Sequence, residues 1–205
     1  MKKYILALGL SLLTVLGLFT GCSLKSETAS GSDSLKIVAT IFPEYDWVRQ
    51  VLGDRAGEVE LTLLLDSGTD LHSYQPTAAD MLTIGECDLF LYNGGESDAW
   101  VERVLATAAN PDRRTLSVME VLGDSVLEEE VVEGMQEAED HDHAEGEAHE
   151  EEADEHVWLS LRNARTACAE IARVLGELDP DHAAEYQTNA ENYMAELEAL
   201  DGEDA

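Results

Sequence analysis

Leu35-Lys36-Ile37-Val38-Ala39-Thr40-Ile41-Phe42-Pro43 opens the part of this chain that folds. A short run of β-branched and apolar residues like Leu35 to Ile41, stopped by a proline, predicts a strand buried on both faces of a parallel sheet. Val59 to Leu65 reads the same way, and so does Asp88 to Tyr92, just before Asn93-Gly94-Gly95. Helical spacing fills the intervals. Tyr45, Trp47, Val48, Val51 and Leu52 follow Pro43; Thr77 to Ile84 has Thr77 as N-cap with Asp80 three residues on; Trp100 to Ala108 follows the third strand. Thr115 to Val118 is a candidate fourth strand. The alternation predicts an α/β fold, a parallel sheet flanked by helices with right-handed crossovers, whose ligands gather where loops leave the carboxyl ends of the strands.

Further along, Asn163 to Leu178 is predicted helical and Asp179-Pro180 breaks it. Asp181 to Leu200 forms another helix with Tyr186, Ala190, Tyr193, Leu197 and Leu200 on one face. Cys87 and Cys168 sit in apolar patterns and read as small buried residues, although an exported chain would permit a disulfide. They lack the paired spacing of a structural zinc site, and no internal repeat is present.

Export is indicated at the start. Met1-Lys2-Lys3 is positive, and Tyr4 to Phe19 is an apolar core too short to span a membrane comfortably. Phe19-Thr20-Gly21-Cys22 resembles the lipobox of bacterial lipoproteins, with Phe19 in place of the usual leucine; Cys22 is the acylation candidate, against the alternative of a secreted protein with an incidental cysteine. Residues 1–22 are thus a lipoprotein signal, and 23–34, rich in Ser and Gly, a flexible tether. About 180 residues remain, enough for one domain with a real core. The net charge of -32 repels phosphates and anionic headgroups, so nucleic acid is excluded as a partner and a cation is favoured.

Glu128 to His156 concentrates that charge. It has no lysine or arginine and carries His141, His143 and His149 among carboxylates before ending in Asp154-Glu155-His156-Val157-Trp158. Imidazole ligates zinc, copper and nickel, and carboxylates raise the local cation concentration. The segment therefore reads as a cation collector, against the plainer reading of a solvated acidic spacer. His72 lies in the loop after the second strand, at the binding edge of the sheet, where Gly68 lets the backbone turn and Pro76 stiffens it.

Gly68-Thr69-Asp70-Leu71-His72-Ser73-Tyr74-Gln75-Pro76-Thr77 resembles the first ligand motif of the metal-binding receptors that serve ABC importers of zinc and manganese. His156-Val157-Trp158-Leu159-Ser160-Leu161-Arg162-Asn163-Ala164 is similar to the second motif of that family. The order agrees too: lipobox, opening strand, His72 segment, Asn93-Gly94-Gly95, acidic insertion, His156 segment. The resemblance implies that His72 and His156 are metal ligands on two loops of an amino-terminal lobe spanning 35–178. It implies that the acidic loop 124–155 is the histidine-rich loop of zinc-selective members, with His141, His143 and His149 as exchangeable auxiliary ligands, and it favours zinc over manganese as the ion carried. Two departures stand out. Glu155 occupies a position where the family commonly has proline, and Ser160-Leu161 replaces a common Asp-Pro, although Ser160 can still cap a helix. Asp70 would either orient the His72 ring or cap a turn, the second being preferred.

In the family a long helix joins two similar lobes and the metal lies between them. Residues 179–205 read as the start of that helix, so the chain is expected to be a fragment or truncation ending after one lobe, in preference to a single lobe that completes its site through loop histidines or a second copy, with the remaining ligands absent and the apolar face of its last helix without a partner. Two imidazoles alone leave a zinc ion open to water. The implied function is that of an extracytoplasmic, lipid-anchored receptor on the bacterial membrane, passing a divalent ion to an ABC permease, with no bond made or broken. The alternatives are a manganese-type receptor, an extracellular zinc buffer or adhesin, and a zinc hydrolase using Asp154 or Glu155 as general base. No His-Glu-x-x-His helix, nucleophile elbow or phosphate-cradling glycine loop supports the hydrolase.

Overall fold

The computed structural model describes residues 34–66, 68–107, 110–128 and 153–203. Four strands, β1 (Lys36–Ala39), β2 (Glu60–Leu63), β3 (Leu89–Tyr92) and β4 (Arg114–Ser117), form one parallel sheet in the order β2-β1-β3-β4. Ile37 stands opposite both Leu61 and Leu89, and Phe90 opposite both Val38 and Thr115. The strands are shorter than the apolar runs that predict them, but the ladder continues past their ends: the Thr40 amide donates to the Leu91 carbonyl at 3.1 Å and the Leu65 amide to the Thr40 carbonyl at 3.0 Å.

Among the described residues, six α-helices surround the sheet: α1 (Phe42–Leu52), α2 (Ala78–Glu86), α3 (Val101–Leu105), α4 (Val118–Leu122), α5 (Leu161–Leu178) and α6 (Ala183–Glu203). Successive strand residues point to opposite faces. Ile37, Ala39, Leu89, Leu91 and Leu116 pack with Trp47 and Val48 of α1 and with Ile171 and Leu175 of α5, while Val38 and Phe90 pack with Ile84, Trp100 and Val104 on the other side. A central strand covered on both faces must be apolar throughout, which is why β1 and β3 lack a wet stripe. Val118, expected to end the fourth strand, instead opens the short helix α4, which Ser117 caps by accepting from the Glu120 amide.

Local chemistry sets the helix ends. Thr77 caps α2, its hydroxyl accepting from the Asp80 amide while the Asp80 carboxylate accepts from the Thr77 amide at 2.8 Å, the expected reciprocal box. Ser160 caps α5 by accepting from the Asn163 amide at 3.3 Å. Small residues Ala164, Ala167 and Ala172 recur with Cys168, Ile171 and Leu175 on the buried side of α5, which lets neighbouring helices approach closely.

The expectation of an unpartnered face on the last helix is overturned. After the break at Asp179-Pro180, α6 folds back on α5 and α1, burying Tyr186, Ala190 and Leu197, with Tyr193 half-buried; Leu200 alone of the predicted stripe is exposed, at 53%. Polar bonds hold the junction. Asn189 Nδ2 donates to the Val51 carbonyl at 3.0 Å, Arg55 Nε donates to the Tyr186 hydroxyl at 3.2 Å, and that hydroxyl donates to Asp179 at 2.6 Å. Cys87 and Cys168 are free and buried in the cores on opposite faces of the sheet, so they cannot pair. Burial pushes both thiols up to about 12.

Candidate metal centre

β1 has β2 on one side and β3 on the other, so the chain leaves the carboxyl ends of these strands in diverging directions. Loops at that edge are the ones able to surround a ligand. His72 comes from the loop after β2, and Ser97 from the loop after β3.

His72 sits in a 3₁₀ turn, Leu71–Ser73, whose flanks are pinned. Asp70 caps the turn, accepting from the His72 amide at 3.1 Å, as expected for the turn-capping use of this residue. Leu71 and Tyr74 are buried on either side of the exposed imidazole, and the Tyr74 hydroxyl donates to Asp80 at 3.0 Å. Tyr74 packs edge-on against Trp100, ring centres 5.5 Å apart. The backbone carrying His72 is thus fixed to the core although its ring is in solvent.

His156 lies just before a second 3₁₀ turn, Val157–Leu159, tied to the start of α5 by Asn163 Nδ2 donating to the Val157 carbonyl at 3.0 Å. Val157 is buried beneath it. Upstream, an antiparallel bridge between Glu128 and Ala153, with the Asp154 amide donating to the Leu127 carbonyl at 2.8 Å, brings the two ends of the acidic insertion together beside the site.

The two histidines, 84 residues apart in sequence by their numbers, meet with ring centres 5.7 Å apart and planes inclined by 54°. With nitrogen about 2.0–2.1 Å from a zinc ion, a ring centre lies about 3.2 Å from it, and two rings on one tetrahedral ion stand about 5.2 Å apart. The observed separation is within reach of a shared ion after a small opening of the angle. Both Nδ1 atoms are already engaged: His72 Nδ1 faces the Ser97 hydroxyl at 2.9 Å, and His156 Nδ1 faces Asp154 Oδ1 at 2.9 Å. Each Nε2 remains for a ligand. The amide and ring N–H of His156, in that order, hold the Asp154 carboxyl below the ordinary carboxylate range.

Ser97 also donates from its amide to Glu155 Oε1 at 3.0 Å, and its hydroxyl donates to Glu155 Oε2. Asn93 Nδ2 donates to the Glu155 carbonyl at 2.8 Å, fastening the His156 segment to the end of β3. The turn between Asn93 and Ser97 requires glycine. Gly94 and Gly95 have φ of 97° and 79°, and a Cβ at Gly95 would lie 2.7 Å from Glu155 Cγ and Cδ. Beneath the turn, Asp98 is buried, accepts from the Gly94 amide at 2.9 Å, and is pushed up to about 6 chiefly by burial.

Among the described residues, no group of three or more His, Cys, Asp or Glu side chains is placed to hold a metal ion. His141, His143 and His149, Cys22 and the signal segment 1–22 lie outside the described residues. The structure brings His72 and His156, named from the two motifs, close together; Ser97 is a partner that no motif marks, Asn93 belongs to the Asn93-Gly94-Gly95 segment without an expected role, and Glu155 is a departure whose partner lies on another loop.

The chain matches the family model described as zinc-uptake complex component A periplasmic over residues 37–204. It is 34% identical over 201 residues to the zinc-binding lipoprotein AdcA of Streptococcus pneumoniae, an alignment covering 98% of this chain and 37% of that protein. It is 31% identical over 198 residues to the manganese ABC transporter substrate-binding lipoprotein scaA of Streptococcus gordonii, covering 95% of this chain and 58% of the relative. The crystal structure of Zn(II)-bound AdcA from Streptococcus pneumoniae superimposes with a TM-score of 0.62 at 28% identity, over 82% of this chain and 32% of that one. The chain therefore spans about a third to three fifths of the length of these proteins.

Proposed function

From the premise that this chain belongs to the zinc-uptake complex component A family, we propose that it captures a divalent metal ion for an ABC importer, with His72 and His156 each giving Nε2 to the ion. Zinc is the favoured cargo, and the ion is carried rather than used for chemistry: capture and release make and break no covalent bond of a substrate. The observation that carries this reading is the convergence of two distant imidazoles to a 5.7 Å ring separation with both Nδ1 atoms occupied. Two nitrogens leave a tetrahedral ion two positions open, so the remaining ligands come from water, from the acidic insertion, or from protein beyond the span of this chain.

The acidic insertion fits the same role. Its closed neck discharges beside His156, so ions held loosely by His141, His143 and His149 and the surrounding carboxylates are delivered next to the two fixed imidazoles. Acylation at Cys22 would hold the domain outside the cytoplasmic membrane, near its permease. The similarity to a manganese lipoprotein supports one alternative cargo. Manganese prefers more oxygen ligands than two imidazoles supply, which places zinc first.

Calorimetric titration of the purified chain with zinc and with manganese tests the assignment. His72→Ala and His156→Ala should each abolish most zinc binding, and removal of Glu137 to Glu152 should leave the fixed site intact while slowing uptake at scarce zinc. Unchanged zinc affinity in both histidine variants would refute the site. Growth of a deletion strain in chelated medium at the wild-type rate would favour an extracellular buffer or adhesin over an importer component.

A further inference from the structure

We infer that Ser97 and Glu155 are positioning residues that fix the tautomer and aim of His72, so that the segment carrying one histidine also orients the other. The inference rests on the proposed capture of metal by His72 and His156. Its basis is proton direction. A serine hydroxyl has one proton, and a carboxylate only accepts. Glu155 Oε2 accepts the hydrogen bond from the Ser97 hydroxyl, while Glu155 Oε1 accepts from the Ser97 amide at 3.0 Å, so the carboxylate grips the serine at two points. Ser97 Oγ then presents lone pairs to His72 Nδ1, 2.9 Å away, and the contact is favourable only if Nδ1 carries the hydrogen. The consequence is a bare Nε2, the form of imidazole that binds a metal.

Asp154 does the same for His156 directly, accepting at 2.9 Å from Nδ1. Two consecutive carboxylates thus serve two different rings: Asp154 orients its near neighbour in sequence, and Glu155 reaches through Ser97 to a ring on another loop. The arrangement depends on the backbone at both ends. Asn93 holds the Glu155 carbonyl, and only a glycine at position 95 leaves room for the Glu155 side chain. A proline at 155 would remove the carboxylate and with it the link between the loops.

Nitrogen-15 NMR of the ring nitrogens in metal-free protein, paired with zinc affinity by chelator competition, tests this on the whole chain. The parent should show His72 as the Nδ1–H tautomer. Ser97→Ala and Glu155→Ala should shift His72 toward a mixture with Nε2–H and weaken zinc binding about 10- to 100-fold, with His156 unmoved. Ser97→Thr, which keeps the hydroxyl, should restore both readings. His72 as Nε2–H in the parent, or Ser97→Ala with parental tautomer and affinity, would overturn the inference. His72→Ala and His156→Ala run in parallel separate the two ideas: parental zinc binding there refutes the capture site, whereas the tautomer of His72 judges the relay by itself.

Discussion

Glu44 offers the sharpest test of the energetics. Its side chain is completely buried at the start of α1, where Oε2 accepts from the Thr40 amide at 3.1 Å, the Thr40 hydroxyl at 2.9 Å and the Ile41 amide at 3.3 Å. Its Oε1 has no hydrogen-bond partner among the described residues. Burial, opposed by the Thr40 hydrogen bond and reinforced by the nearby charge of Asp98, pushes the carboxyl from 4.5 up to about 8. Between these values the folded chain keeps a proton that the unfolded chain releases, so stability falls as pH rises. At about 1.4 kcal/mol per pH unit, the folded chain is destabilised by about 5 kcal/mol above pH 8 relative to pH 4. Asp98 adds a loss of the same sign that is complete about one unit above its folded value of about 6, so Glu44 alone governs the window from about pH 7 to 8. Glu44→Gln copies the shape of the protonated acid and cannot ionise. Urea denaturation at pH 4, 5, 6.5 and 8 should give near-equal stabilities at pH 4, and a gap in favour of the variant that widens by about 1.4 kcal/mol per pH unit between about pH 5 and 7.5. Parallel stability curves for variant and parent would show that Glu44 does not hold its proton and would refute the reasoning.

Other substitutions probe other links. Ser160→Ala should cost about 1 kcal/mol by removing the cap of α5, read as a lower urea midpoint at unchanged slope. Ile171→Ala, at a position with no exposure in the α5 core, should cost about 2–5 kcal/mol, with Ile171→Val costing only about 0.5–1.5 kcal/mol, both measured by denaturation. Gly95→Ala should cost about 1–3 kcal/mol through its backbone angle, and should also weaken zinc binding by displacing Glu155; thermal unfolding and zinc titration read the two effects separately.

Much of this molecule was legible in its sequence because its signals are local. The runs at Leu35, Val59 and Asp88 gave strands, the Thr77 and Ser160 caps gave helix starts, and two motifs gave the histidine pair. The missed features depend on long-range placement. Ser97 meets His72 only because two glycines with positive φ turn the chain after β3, and nothing in Glu96-Ser97-Asp98 signals that meeting. Glu155 stood out as unusual, but its partner lies 58 residues away. The face of α6 was misjudged for a related reason: an amphipathic stripe announces that it must be covered, not by what. Here the cover is α1 and α5, reached by a reversal at Pro180.

The bridge between Glu128 and Ala153 has a consequence for how such a protein changes over time. A neck that fastens itself lets whatever runs between its two sides grow, shrink or exchange residues without dragging on the anchored histidine next door. Substitutions in the acidic segment can therefore accumulate without altering the 5.7 Å approach of the His72 and His156 rings.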